Sequence, residues 1–155
     1  SGDEQDNRQI AEGRAALRSL READEAIADE AVSARLKRMT EAGAKIFDAL
    51  EKEAARAAEV RRFMNYYLPT ADKLLKQYRD LLKTGSQGKN IQGAMRSIEN
   101  SLELIATAFE KQLVSLYRHE AMDIQTDIDV LETMLAADGI RVDSKQKDKE
   151  ETGNV

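Results

Sequence analysis

The sequence predicts an all-α protein: an elongated antiparallel bundle of four to five helices, one of them kinked at Pro69. Three observations carry this. Ala, Glu, Lys, Arg and Leu dominate, and runs of β-branched residues are missing. Apolar residues recur at steps of three and four, and no stretch alternates as a half-buried strand would. Proline occurs once in 155 residues, so little interrupts the helical pattern. At this length one domain can bury a core without covalent staples.

The chain divides into a disordered N-terminus over 1–8, a single helical bundle domain over 9–140, and a disordered polar tail over 141–155. Ser1-Gly2 reads as a cloning remnant. From about Gln9 to Ala26 a weak stripe runs through Ile10, Leu17, Leu20 and Ile27, with mostly alanine between them. Such a helix buries little area, and its stability depends on docking, with a second chain as one candidate surface. Ala28-Asp29-Glu30 supplies an N-cap and a first-turn acid. The second helix then runs to about Glu53, with Val32, Leu36, Met39, Gly43, Ile46 and Leu50 on one face.

A third segment starts near Ala57. Val60, Phe63, Met64, Tyr67 and Leu68 lead into Pro69, and Ala71, Leu74, Leu75, Tyr78, Leu81 and Leu82 continue beyond it. Proline either ends a helix or kinks it, and the unbroken phase favours a kink. Thr84-Gly85-Ser86-Gln87-Gly88 is a loop with two glycines available for positive φ. Next comes the most regular seam, from Ile91 through Met95, Ile98, Leu102, Ile105, Phe109, Leu113 and Leu116 to Ala121, Ile124, Ile128, Leu131 and Leu135. Asp123 and Thr126 are good N-cap residues, and Thr126-x-x-Asp129 approximates a capping box. A break or bend is therefore expected between about Tyr117 and Thr126. Asp138-Gly139 closes the last helix.

Composition excludes several chemistries. With no cysteine there is no disulfide framework, zinc ribbon or thiol nucleophile. The absence of cysteine fits a reducing cytoplasm, and no apolar run approaches the roughly 18 residues of a membrane span. A net charge of -5 argues against nucleic acid and against an anionic membrane surface. The single His119 cannot supply the two Glu-x-x-His motifs of a di-metal bundle. His119, Glu120, Asp123 and Asp127 could share a face, but a solvated helix end explains them more simply. Gly85-Ser86-Gln87-Gly88-Lys89 follows a helix and lacks the spacing of a phosphate loop. No catalytic residue, metal ligand or cofactor site is assigned.

Lys73, Lys76, Arg79 and Lys83 fall on one helical face, with Arg61 and Arg62 upstream. An ordinary solvated face is one reading, and a surface for an acidic partner or a phosphorylated ligand is the other. Tyr66 and Tyr67 cannot both face the core, because adjacent helical residues diverge by about 100°. One of them belongs at a rim or interface. Arg61, Arg62, Tyr66, Tyr67, Lys76, Arg79 and Lys83 are thus the candidate partner-binding residues.

The stretch from Arg61 through Asn65-Tyr66-Tyr67-Leu68-Pro69-Thr70 to Tyr78-Arg79 resembles the XpaC family of bacterial proteins. So do Phe109-Glu110-Lys111-Gln112-Leu113 and Asp123-Ile124-Gln125-Thr126-Asp127-Ile128-Asp129-Val130-Leu131. The resemblance covers about 29–140, in order. It departs at Arg118-His119-Glu120, where the family tends to carry acids. The family's label, 5-bromo-4-chloroindolyl phosphate hydrolysis protein, implies a phosphatase-like phenotype. Its similarity in genomic setting to TelA-type toxic-anion (tellurite) resistance proteins implies a protein partner. Many members look as though they carry hydrophobic N-terminal segments, so the resemblance implies that this chain is a cytoplasmic, soluble fragment of a longer protein. Two expectations follow. The first is a non-catalytic helical interaction module that works with a TelA-like protein and self-associates through its N-terminal helix. The second is a phosphoric-ester hydrolase.

Overall fold

Helix formation starts earlier than the polar N-terminus suggests. In the computed structural model, which describes residues 2–85 and 87–141, helix α1 spans Gly2–Glu25. Asp3 and Glu4 lie in its first turn, where carboxylates favour the positive end of the helix dipole. Its stripe is covered within the chain: Ile10, Leu17, Leu20 and Ala23, with Ile27 just beyond, join the main core. The last turn of α1 tightens through Ala26 and Ile27 amides, which donate to Ala23 and Asp24 carbonyls at 3.1 Å each. Helix α2 follows as Glu30–Lys52, capped by Asp29, whose carboxylate accepts from the Val32 amide at 3.0 Å. Val32, Leu36, Met39, Ile46 and Leu50 are all fully buried, as their spacing requires.

Beyond α2 the path is irregular. A 3-10 turn covers Ala54–Val60, a π-helical turn covers Phe63–Tyr67, and α3 runs Leu68–Lys83. Pro69 sits in the first turn of α3, where a missing N–H costs least. The turn before it is widened: the Leu68 amide donates to the Phe63 carbonyl five residues back. The helical path therefore passes through Pro69 with a local distortion, because a regular turn would press the ring against the i−4 carbonyl. Thr84 and Gly85 close α3. The Thr84 hydroxyl donates to the Leu81 carbonyl at 2.6 Å, and Gly85 takes φ +62°. Gly139, at the end of the last helix, takes φ +82° in the same way.

Helix α4 spans Lys89–Ala137 without interruption, which corrects the expected break between Tyr117 and Thr126. Thr126 is not a cap. Its hydroxyl donates back to the Met122 carbonyl at 3.0 Å, a bond made inside a helix. The C-terminus does end at Gly139, with φ +82°. The Ile140 amide donates to Leu135 at 2.8 Å and the Gly139 amide to Ala136 at 3.1 Å, the two bonds of a Schellman closure. The polar tail from 142 onward lies outside the described residues.

The result is an all-α bundle with no strand among the described residues. The described residues divide into two units, one up to Leu116 and the other from Tyr117 onward. The core lies in the first. Phe63 stands between Phe47 and Phe109 at ring-centroid distances of 5.6 and 4.8 Å, the latter pair edge-to-face. Arg38 on α2 holds Glu103 and Glu110 on α4 at 2.8 and 2.5 Å. Its hydrogen bond, with help from Arg35, keeps the Glu103 carboxyl below the usual range. Tyr78 donates to Glu99 at 3.3 Å; burial, more than the nearby Asp29 and Glu99 charges, pushes its phenol up to about 12. In the second unit the α4 side chains from 117 to 131 are all exposed. No helix among the described residues is long and apolar enough to cross a membrane.

Candidate functional site

The irregular segment that leads into Pro69 also sets up the site. Val60 and Phe63 point into the core, so Arg61 and Arg62 between them turn outward. On α4, Phe109 and Leu116 face the same core, which leaves Lys111, Gln112 and Ser115 along its flank. Between these two edges lies an open groove of about 520 Å³ lined by Glu59, Arg61, Arg62, Tyr67, Lys111, Gln112 and Ser115. Ala58 and Ala108 also line it, and their short side chains leave the space unfilled.

The groove carries three cations against one carboxylate. That carboxylate, Glu59, accepts from Arg56 Nε at 2.7 Å. Arg56 is itself buried, and its second nitrogen donates to the Leu116 carbonyl on α4 at 3.1 Å. Arg56 thus ties the 3-10 turn to α4 and offsets the charge of Glu59. What remains toward solvent is a positive rim with guanidinium forks, suited to carboxylates or phosphates. Gln112, Ser115 and Tyr67 add neutral hydrogen-bonding groups.

Of the residues singled out in the sequence, Arg61, Arg62 and Tyr67 come together at this groove. Tyr66 is 62% exposed and meets Tyr67 edge-on at 5.8 Å, while Tyr67 packs against the core. The rim position expected for one of the two tyrosines is therefore that of Tyr66. Lys76, Arg79 and Lys83 do not line the groove. Lys76 pairs with Asp72 at 2.9 Å on its own helix, Arg79 is half-buried, and Lys83 is exposed near the end of α3. Lys111, Gln112, Ser115 and the buried Arg56 were not singled out. Lys111 and Ser115 share one face at helical spacing, a signal that needs the partner segment 50 residues away before it means anything.

His119, Glu120, Asp123 and Asp127 lie on exposed turns of α4. Among the described residues, no three His, Asp or Glu side chains are gathered so as to hold a metal ion.

No curated protein and no solved structure matches the chain. A family model does, over residues 4–131, which is most of the sequence. Its description is 5-bromo-4-chloroindolyl phosphate hydrolysis protein, and the residues that suggested XpaC lie almost wholly inside the matched range. The chain belongs to that family.

Proposed function

We propose that this chain is a helical interaction module that docks an acidic segment of a protein partner, with a TelA-like toxic-anion resistance protein as the partner. It acts by binding rather than by turnover, in the cytoplasm. The observation that carries this reading is the groove where Arg61, Arg62 and Lys111 surround a Tyr67 wall, with Tyr66 standing exposed beside it. Arginine and tyrosine are enriched where protein partners bind, because both offer a flat apolar face with polar groups at the edge. Lys76, Arg79 and Lys83 lie on α3, outside the groove, and are offered as further partner contacts. The test is co-purification with the TelA-like protein. The pair is expected to survive in moderate salt and to separate on Arg61→Glu with Arg62→Glu. Recovery of the chain alone under every condition removes this reading.

A second reading is favoured by the same cations together with the family's description. Arg61, Arg62 and Lys111 could bind the phosphoryl group of an indolyl phosphate and stabilise its developing charge. Purified chain assayed on 5-bromo-4-chloroindolyl phosphate with Mg²⁺, Mn²⁺ or Zn²⁺ decides it. Turnover that tracks the protein through purification and falls on Arg62→Ala supports the hydrolase. Turnover at the level of contaminants, unchanged by Arg62→Ala or Asp123→Ala, rejects it.

A further inference from the structure

The second unit presents a regular apolar seam. Tyr117, Ala121, Ile124, Ile128, Leu131 and Leu135 follow one another at steps of four and three on an unbroken helix. That is the spacing of a coiled-coil core. Ile124, Ile128 and Leu131 are 55%, 41% and 55% exposed, far more than isoleucine and leucine in a seam are when covered.

We propose that this seam is a self-association site, on which a second copy of the chain lies antiparallel to form a two-stranded coiled coil over 117–135. The flanking charges select both the occupant and its direction. Along one edge of the seam run Arg118, Gln125 and Glu132, and along the other Glu120, Asp127 and Met134. When two copies run antiparallel, like edges meet. Arg118 then faces Glu132 of the second copy, twice by symmetry, and Gln125 faces Gln125. The one like-charge meeting is Asp127 with its own counterpart. When two copies run parallel, opposite edges meet instead. Asp127 then faces Glu132 of the second copy twice, and Arg118 has no acid opposite. Opposite charges beside a coiled-coil core favour pairing and like charges oppose it.

The core layers agree with this direction. Antiparallel register sets Tyr117 against Leu135, Ala121 against Leu131, and Ile124 against Ile128 of the second copy. The small Ala121 thereby meets a large residue, and no layer holds two large aromatic rings or two alanines. Parallel register stacks Tyr117 on Tyr117 and Ala121 on Ala121, which leaves one layer crowded and the next under-filled. The proposal does not depend on the groove near Arg61, which lies in the other unit.

Sedimentation equilibrium of the full chain is expected to show a dimer. Ile124→Glu combined with Ile128→Glu is expected to give a monomer with the same far-UV helical signal, because both side chains are exposed in the single chain. Because this chain has no cysteine, crosslinking reads the direction cleanly. Gln125→Cys is expected to crosslink to its counterpart through a short bis-maleimide, since flanking positions lie somewhat beyond the reach of a direct disulfide. Tyr117→Cys is expected not to, since antiparallel register separates the two copies of that position by roughly 27 Å along the axis. A monomer at concentrations up to about 100 µM overturns the proposal. So does a dimer that the double glutamate variant leaves intact. Efficient crosslinking through Tyr117→Cys overturns the antiparallel direction.

Discussion

Gly13 on α1 lies directly against the ring of Phe47 on α2, so close that a methyl group at Gly13 would collide with the ring edge. A second glycine, Gly43, receives Leu17 in the same way from the other side, with a Cβ there meeting Leu17 Cδ1 at 2.7 Å. The alanine-rich α1 is held by these close approaches as well as by its few large buried side chains. Arg14 adds to the same contact. Its guanidinium stands 5.8 Å from the Phe47 centroid and pairs with Asp48 at 2.8 Å.

Gly13→Ala is therefore expected to destabilise the fold by about 1–3 kcal/mol, although alanine is the better helix former. Phe47 cannot yield easily, because Phe63 braces its ring. Gly43→Ala meets the end of a flexible leucine and is expected to cost less. Urea unfolding of the two variants checks the order. If Gly13→Ala matches or exceeds wild-type stability, the close packing of α1 on α2 is misjudged.

The cap at Asp29 gives a second expectation. Asp29→Ala removes the acceptor for the Val32 amide and should lower stability by about 1 kcal/mol, while Asp29→Ser should recover most of it. Thermal melts followed at the helical signal distinguish the three proteins.

The clamp between Arg38 and Glu103 predicts a pH dependence. Hydrogen bonding from Arg38 lowers the folded carboxyl below its unfolded value. Its contribution is then present above the ordinary carboxylate range and is lost as pH falls through the folded value. Glu103→Gln is expected to be less stable than wild type at neutral pH, with the gap closing below about pH 4. A gap of constant size from neutral to strongly acidic pH contradicts this.

Arg56 is the buried cation that joins the 3-10 turn to α4. Arg56→Ala removes the donor to Leu116 and leaves Glu59 without that partner, at an expected cost of about 2–4 kcal/mol. Arg56→Lys keeps the charge but offers no fork, and should fall between alanine and wild type. Denaturant midpoints for the pair provide the comparison. Equal midpoints for Arg56→Ala and wild type would show that the buried contact carries no energy.

Much of this architecture can be read from periodicity. The face from Val32 to Leu50, the cap at Asp29 and the close at Gly139 each rest on interactions within a few residues, so local sequence specifies them. Thr126 shows the limit of that reasoning. A threonine hydroxyl can cap a helix start or bond back to the carbonyl four residues earlier, and only the continuing backbone of α4 decides which. The early start at Gly2 was hidden for a related reason, since a polar first turn reads the same whether coiled or helical. In the groove, Arg61, Arg62 and Tyr67 stood out because they cluster in sequence. Lys111 and Arg56 did not, because their meaning comes from neighbours far away in the sequence, 60 residues in the case of Arg56 and Leu116.

The proline inside the third helical stretch has one further consequence. Position 69 offers no amide to the ladder, and the widened turn before it already hands its bonds back by a different count. The helical hydrogen-bond ladder therefore lacks one rung at that point, although the helix itself continues across it. A turn that lacks a rung opens more readily than its neighbours, so amide exchange is expected to be faster around Pro69 than at the buried Leu75 and Tyr78.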